Sequence, residues 1–117
     1  MERVTGVGRV FFRAKDPASL VAWYEEHLGV PVNEGYVVFP ESHDTHWVPF
    51  SDDTDYWPAE KQSMINFTVR DLGAILAQLR ASGVEVDDKI EDHEFGRFGW
   101  ATDPEGNRFE LWQPLER

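Results

Sequence analysis

The chain has 117 residues, with 11 Lys and Arg against 22 Asp and Glu, a formal net charge of -11. That length suits one domain, and a hydrophobic share of 41% with 14% aromatics is enough for a packed core and argues against disorder. So acidic a balance repels phosphate backbones and anionic lipid, so neither nucleic acid nor a membrane is expected as a partner, and the absence of cysteine excludes disulfides, thiolate zinc sites and a cysteine nucleophile.

The first residues, Met1-Glu2-Arg3-Val4-Thr5-Gly6, lack the basic and then apolar pattern of a signal peptide. No apolar run approaches the roughly 20 residues of a spanning helix, and a cytoplasmic location is expected. Residues 7–14 interleave Val and Phe with polar residues, which predicts a strand with two unlike faces. Asp16-Pro17 supplies an N-cap and a proline at the first helical position. Leu20, Trp23, Tyr24 and Leu28 then keep the spacing of one helix face, and Gly29 ends it. Residues 32–41 and 46–50 read as β-like. Asp52, Asp53 and Asp55 mark an acidic, turn-rich linker over 52–61.

The same unit then returns. Residues 63–69 alternate as a strand, Asp71 caps, Leu72, Ile75, Leu76 and Leu79 form a stripe, and Gly83 stops the helix. Lys15-Asp16 precedes Arg70-Asp71 by 55 residues, and Leu20-Val21-Ala22 precedes Ile75-Leu76-Ala77 by the same 55, so cap and stripe repeat in register. Residues 84–88, 97–102 and 108–113 are short candidate strands, the last two joined by the turn Asp103-Pro104-Glu105-Gly106-Asn107. The expected architecture is α+β: two tandem βαβββ modules, over about 1–51 and 62–117, forming a cupped, barrel-like mixed sheet with the helices outside. Strand parity places Arg9, Phe11, Met64, Asn66, Glu110 and Trp112 on the cup face, with Arg108 beside them.

Paired modules ending in Asp103-Pro104-Glu105-Gly106-Asn107-Arg108-Phe109-Glu110-Leu111-Trp112 resemble the vicinal oxygen chelate superfamily of glyoxalase I, bleomycin-resistance proteins and extradiol dioxygenases. Gly8-Arg9-Val10-Phe11-Phe12 before Asp16-Pro17, and Ile65-Asn66-Phe67-Thr68-Val69 before Asp71-Leu72, carry the same resemblance. It implies a small molecule in the cup, and lyase, isomerase or dioxygenase chemistry in the members that catalyse. It also implies a three-ligand divalent metal at the positions held here by Arg9, Met64 and Glu110. Of these only Glu110 suits a metal, because a protonated guanidinium cannot ligate and a thioether is a poor partner for a hard ion.

Two functional readings follow from these residues. In one, an enzyme uses Arg9 to polarise a substrate oxygen and Glu110 to move a proton; against it stands a plain Arg9–Glu110 ion pair that merely ties two strands. In the other, the chain sequesters a small molecule without a metal, which suits the acidic balance and the lost ligand positions. A rebuilt metal site from His46 and Glu110 is the remaining alternative, against a rim position for His43 and His46; His27 and His93 read as ordinary surface histidines. Trp47, Tyr56, Trp57, Phe98, Trp100 and Trp112 offer an aromatic wall, with Trp57 and Trp100 foremost because they flank turns. No cofactor is expected, and a homodimer is.

Overall fold

The structure, a computed structural model, describes residues 1–3, 9–40 and 43–115. Helix α1 (Pro17–Leu28) starts where the Asp16 carboxylate accepts the Ser19 N–H at 3.1 Å, and it ends at Gly29, whose φ of 64° and N–H to the Glu25 carbonyl form a left-handed cap. Helix α2 (Leu72–Ala81) is capped in the same way by Asp71, which accepts the Ala74 N–H at 3.0 Å. Beyond its last turn Gly83, at φ 76°, lets the Val84 N–H reach back to the Leu79 carbonyl. Both helices of the repeat therefore form as the sequence predicts.

A small hairpin of β1 (Val32–Asn33) and β2 (Tyr36–Val37) turns through Glu34 and Gly35, both at positive φ as a two-residue reversal requires. The main sheet contains β3 (Ile65–Thr68), β4 (Glu85–Val86), β5 (Glu91–His93), β6 (Gly96–Thr102) and β7 (Arg108–Pro114), in the order β3-β7-β6-β4 with β5 also on β6. Strand β3 runs parallel to β7, while β4, β5 and β7 pair antiparallel with β6. The α+β class with a mixed sheet holds. Strand β5 was not expected, because its charged residues read as a solvated run.

Register sorts the side chains. Ile65 opposes Phe109 and Phe67 opposes Leu111, while Gly99 and Ala101 lie across from Leu111 and Phe109. This face takes Leu72, Leu76 and Leu79 of α2 and is the core, each large side chain contributing roughly 1.5–3 kcal/mol on burial. Helix α1 docks beside α2 on the same face, with the Tyr24 and Trp23 rings 5.7 and 6.2 Å from that of Phe109. The 103–107 turn fastens it: the Glu105 carboxylate accepts the N–H groups of Lys15 and Asp16 at 2.6 and 3.0 Å, and the Tyr24 hydroxyl donates to Asp103 at 2.8 Å.

The first half departs from expectation. Residues 9–14 and 46–50 form no strand, and residues 7–8 and 41–42 lie outside the described residues. Val10, Phe11 and Phe12 stay 63%, 85% and 62% exposed. A strand draws its hydrogen bonds only from a neighbour. Because α1 is committed to the core of the second half, residues 9–14 find no strand partner among the described residues. In place of the expected cupped, barrel-like sheet, the described residues form a five-stranded sheet with an open polar and aromatic face beside the small hairpin, and they close no barrel. No helix is long and apolar enough to cross a membrane among the described residues.

Candidate ligand-binding site

The sheet face turned away from the helices carries the chemistry. Pairing of Asn66 with Glu110, of Glu110 with Trp100, and of Trp112 with Phe98 and Thr68 sets these side chains in adjacent rows across β3, β7 and β6. Parity thus brings Asn66, Glu110 and Trp112 together as the sequence predicts, with Trp100 beside them.

Glu110 is the centre. It is buried, and its carboxylate accepts the Asn66 amide at 2.7 Å on one oxygen and the Trp100 indole N–H at 2.9 Å on the other, which it shares with the Tyr56 hydroxyl. Three neutral donors hold the charge in place of a cation. Burial first, and then donation to Glu110, push the Tyr56 phenol well above its usual range, so it stays protonated and remains a donor.

Above this centre lies the linker. Phe50 stacks on Tyr56 at 5.7 Å and 17° and meets Trp57 edge-on, while Tyr56 stands edge-on to the buried Trp100 at 6.1 Å. The Arg108 guanidinium lies 5.5 and 5.1 Å from the Tyr56 and Trp100 ring centres. It donates to the Tyr56 carbonyl at 2.9 Å and pairs with Asp87 at 2.6 Å. Between linker residues 54–59 and Lys89, Glu91, Trp100 and Arg108 opens a groove of about 590 Å³, within the range of small-molecule sites. Farther along, Trp112 stacks on Phe98 at 5.8 Å and 3° and donates its N–H to the Phe95 carbonyl.

The other predicted site residues fall outside this centre. The Arg9–Glu110 ion pair does not form: Arg9 is exposed, and Glu110 is satisfied by Tyr56, Asn66 and Trp100. Phe11 is exposed, Met64 is half-buried just ahead of β3, and Trp57 lines the groove with its N–H on the Lys61 carbonyl. His46 lies against Trp112, with ring centres 6.3 Å apart, rather than on Glu110. The positions implied for a metal do not fit one, since both Glu110 oxygens already take donors and neither Arg9 nor Met64 suits a hard ion. Among the described residues no three His, Asp or Glu side chains converge.

Sequence reasoning placed Tyr56 in an aromatic wall but missed its bond to Glu110, and it assigned no part to Lys89 and Glu91 or to the Arg108 contacts with Tyr56 and Asp87. Parity already turned Arg108 to this face, but Tyr56 sits in a linker without periodicity, where no pattern reports the direction of a side chain.

A profile of the Glyoxalase/Bleomycin resistance protein/Dioxygenase superfamily matches residues 6–111, and the chain belongs to that superfamily. Among solved structures it is similar to a superfamily member from Sphaerobacter thermophilus DSM 20745, at 19% identity and a TM-score of 0.60 over 94% of this chain and 98% of that one. It is also similar to TnmS3, an antibiotic binding protein from Streptomyces sp. CB03234, at 23% identity and a TM-score of 0.59 over 96% and 100% of the two chains. The oxidase ChaP-H2 is 16% identical with a TM-score of 0.54, covering 87% of each chain. These likenesses concern the fold. No protein of curated function matches the sequence.

Proposed function

We propose that the protein binds a planar aromatic small molecule on the open face of its sheet, without a metal. The observation that carries this reading is the stacked pair of Phe98 and Trp112 on the sheet face, next to the buried Trp100 and Glu110, with a groove of about 590 Å³ at one end. A planar ligand stacks on such a face, and a fixed acceptor orients it. The fold shared with an antibiotic binding protein favours sequestration, and the donor-saturated Glu110 favours it over proton transfer. In a titration with acridine, the tryptophan fluorescence of the wild type is expected to quench saturably, and Trp112→Ala to bind about tenfold more weakly through loss of the stacking surface. Linear quenching, or equal affinity in the variant, would overturn the reading.

A second copy of the chain completes the site in this reading. The exposed surface is 9424 Å², against roughly 6,500 Å² for a compact chain of 13.5 kDa. The radius of gyration of 15.0 Å likewise exceeds the roughly 13 Å of a compact chain of this length. The excess of roughly 2,900 Å² is surface that the chain does not cover by itself. Its apolar part includes Val10, Phe11, Phe12, Trp47 and Val48. These exposed segments are the surface on which the second copy docks in this reading. Light scattering is expected to give twice the chain mass of 13.5 kDa, and Phe11→Glu with Phe12→Glu to give the single mass. A monomeric wild type at micromolar concentration would refute the pairing.

A further inference from the structure

Resting on the reading that a planar molecule binds this face, we propose that Tyr56 is a built-in occupant of the site, and that the ligand it stands in for is a neutral hydroxyarene whose hydroxyl donates to Glu110 once Tyr56 has swung out.

Every contact of the Tyr56 side chain is of the kind a bound aromatic molecule makes. Its ring is stacked on Phe50, set edge-on to Trp100 and placed against the Arg108 guanidinium, and its hydroxyl enters the buried carboxylate. The residue is carried by a segment with neither helix nor strand. Two hydrogen bonds hold Tyr56 itself to the sheet, one from its hydroxyl to Glu110 and one from Arg108 to its carbonyl. The groove already open beside it, between residues 54–59 and Lys89, Glu91 and Arg108, has room for the ring to move and for a larger ring system to follow.

The chemistry of Glu110 selects the ligand. When Tyr56 leaves, Asn66 and Trp100 keep their bonds, and one carboxylate oxygen loses a donor. A buried acceptor left short of a partner is penalised, so an incoming molecule that donates is favoured over an ether of the same shape. A phenolate is excluded by repulsion from Glu110. The two cations of the groove are already paired, Lys89 with Glu91 and Arg108 with Asp87, each at 2.6 Å, so neither calls for an anionic ligand. A neutral hydroxyl on a planar ring meets all of these conditions.

The test is calorimetric titration of the wild type, Tyr56→Phe and Glu110→Gln at neutral pH, with 2-naphthol and with 2-methoxynaphthalene, which has the same shape and no donor. The wild type is expected to bind 2-naphthol about tenfold or more tightly than the ether. Tyr56→Phe keeps the ring but removes the internal donor, so both probes are expected to bind about tenfold more tightly, with their ratio unchanged. Glu110→Gln is expected to bring the ratio toward one. Unchanged or weaker binding by Tyr56→Phe would overturn the displacement of Tyr56, and equal binding of the two probes by the wild type would overturn the reading of the hydroxyl. Equal binding that still depends on Trp112 would leave the aromatic-face site standing while this inference fails, and binding of neither probe to any form would sink both. The Tyr56→Phe comparison decides the matter even if Glu110→Gln does not fold.

Discussion

Asp103→Ala is expected to lower stability by about 3–5 kcal/mol, the cost of stripping several half-buried donors of one buried acceptor. Asp103 is 5% exposed. One carboxylate oxygen accepts the backbone N–H groups of Glu105 and Asn107 at 2.9 and 3.0 Å, and the other accepts the Tyr24 hydroxyl and the Asn107 amide, each at 2.8 Å. The same residue therefore shapes the turn between β6 and β7 and anchors α1 of the first half. Burial, followed by the bond to Asp103, raises the Tyr24 phenol far above its usual range, so it remains a donor at any pH at which the fold persists. Without Asp103 that hydroxyl is left in an apolar setting among Phe67 and Phe109. Urea denaturation checks the outcome: the midpoint falls with the slope unchanged if the loss is local, and the melting temperature drops by more than about 10 °C. Asp103→Asn, which keeps one acceptor oxygen, is expected to fall between. A loss under about 1 kcal/mol for the alanine variant would show that the turn and α1 are held elsewhere.

Gly96→Ala is expected to be at least as damaging. Gly96 opens β6 at a φ of 134°, a conformation that residues with a Cβ rarely adopt. A Cβ there would collide with the Gln113 carbonyl oxygen and come within 3.0 Å of both the Pro114 Cα and the Trp112 indole nitrogen. Two of these three are backbone of the paired strand β7, which cannot turn aside as a side chain does. The strands must separate at this end, and the Trp112 bond to the Phe95 carbonyl goes with them. We expect a loss of more than about 3 kcal/mol and altered near-ultraviolet circular dichroism from Trp112. Gly73→Ala is the control. Gly73 lies within α2, where a Cβ meets only an Asp71 oxygen at 3.7 Å, and the change is expected to stabilise by about 0.5–1 kcal/mol. If Gly96→Ala proves as mild as Gly73→Ala, the close approach of β6 to β7 is not required.

These two positions also divide what was legible in the sequence from what was not. Asp103 stands in a turn that any reader of Asp103-Pro104-Glu105-Gly106-Asn107 would mark, yet its hold on Tyr24, 79 residues earlier, leaves no local trace. Gly96 follows a charged run that reads as loop, and only pairing with Pro114 explains why it carries no side chain.

Features with a short-range cause were readable from the residues themselves. The caps Asp16 and Asp71, the stops Gly29 and Gly83 and the stripe on α2 depend on contacts within a few residues, and all formed as read. The parity of β3 and β7 then fixed which residues face the helices, because side chains alternate whatever the partner strand. That was enough to put Asn66, Glu110 and Trp112 on one face. Tertiary structure alone decided the rest. Residues 9–14 have the composition of a strand but no strand partner among the described residues, and a strand's hydrogen bonds are not its own to make. Arg9 has the charge to pair with Glu110, but a buried carboxylate takes the donors that packing brings within reach, and these were Tyr56, Asn66 and Trp100. The sequence by itself determined the two helices with their caps and stops, the faces of β3 and β7, and the acidic balance of 22 carboxylates against 11 basic groups. Which donors surround the central carboxylate, and which wall of the cup the single chain leaves open, were settled by long-range packing, whose partners no local spacing encodes.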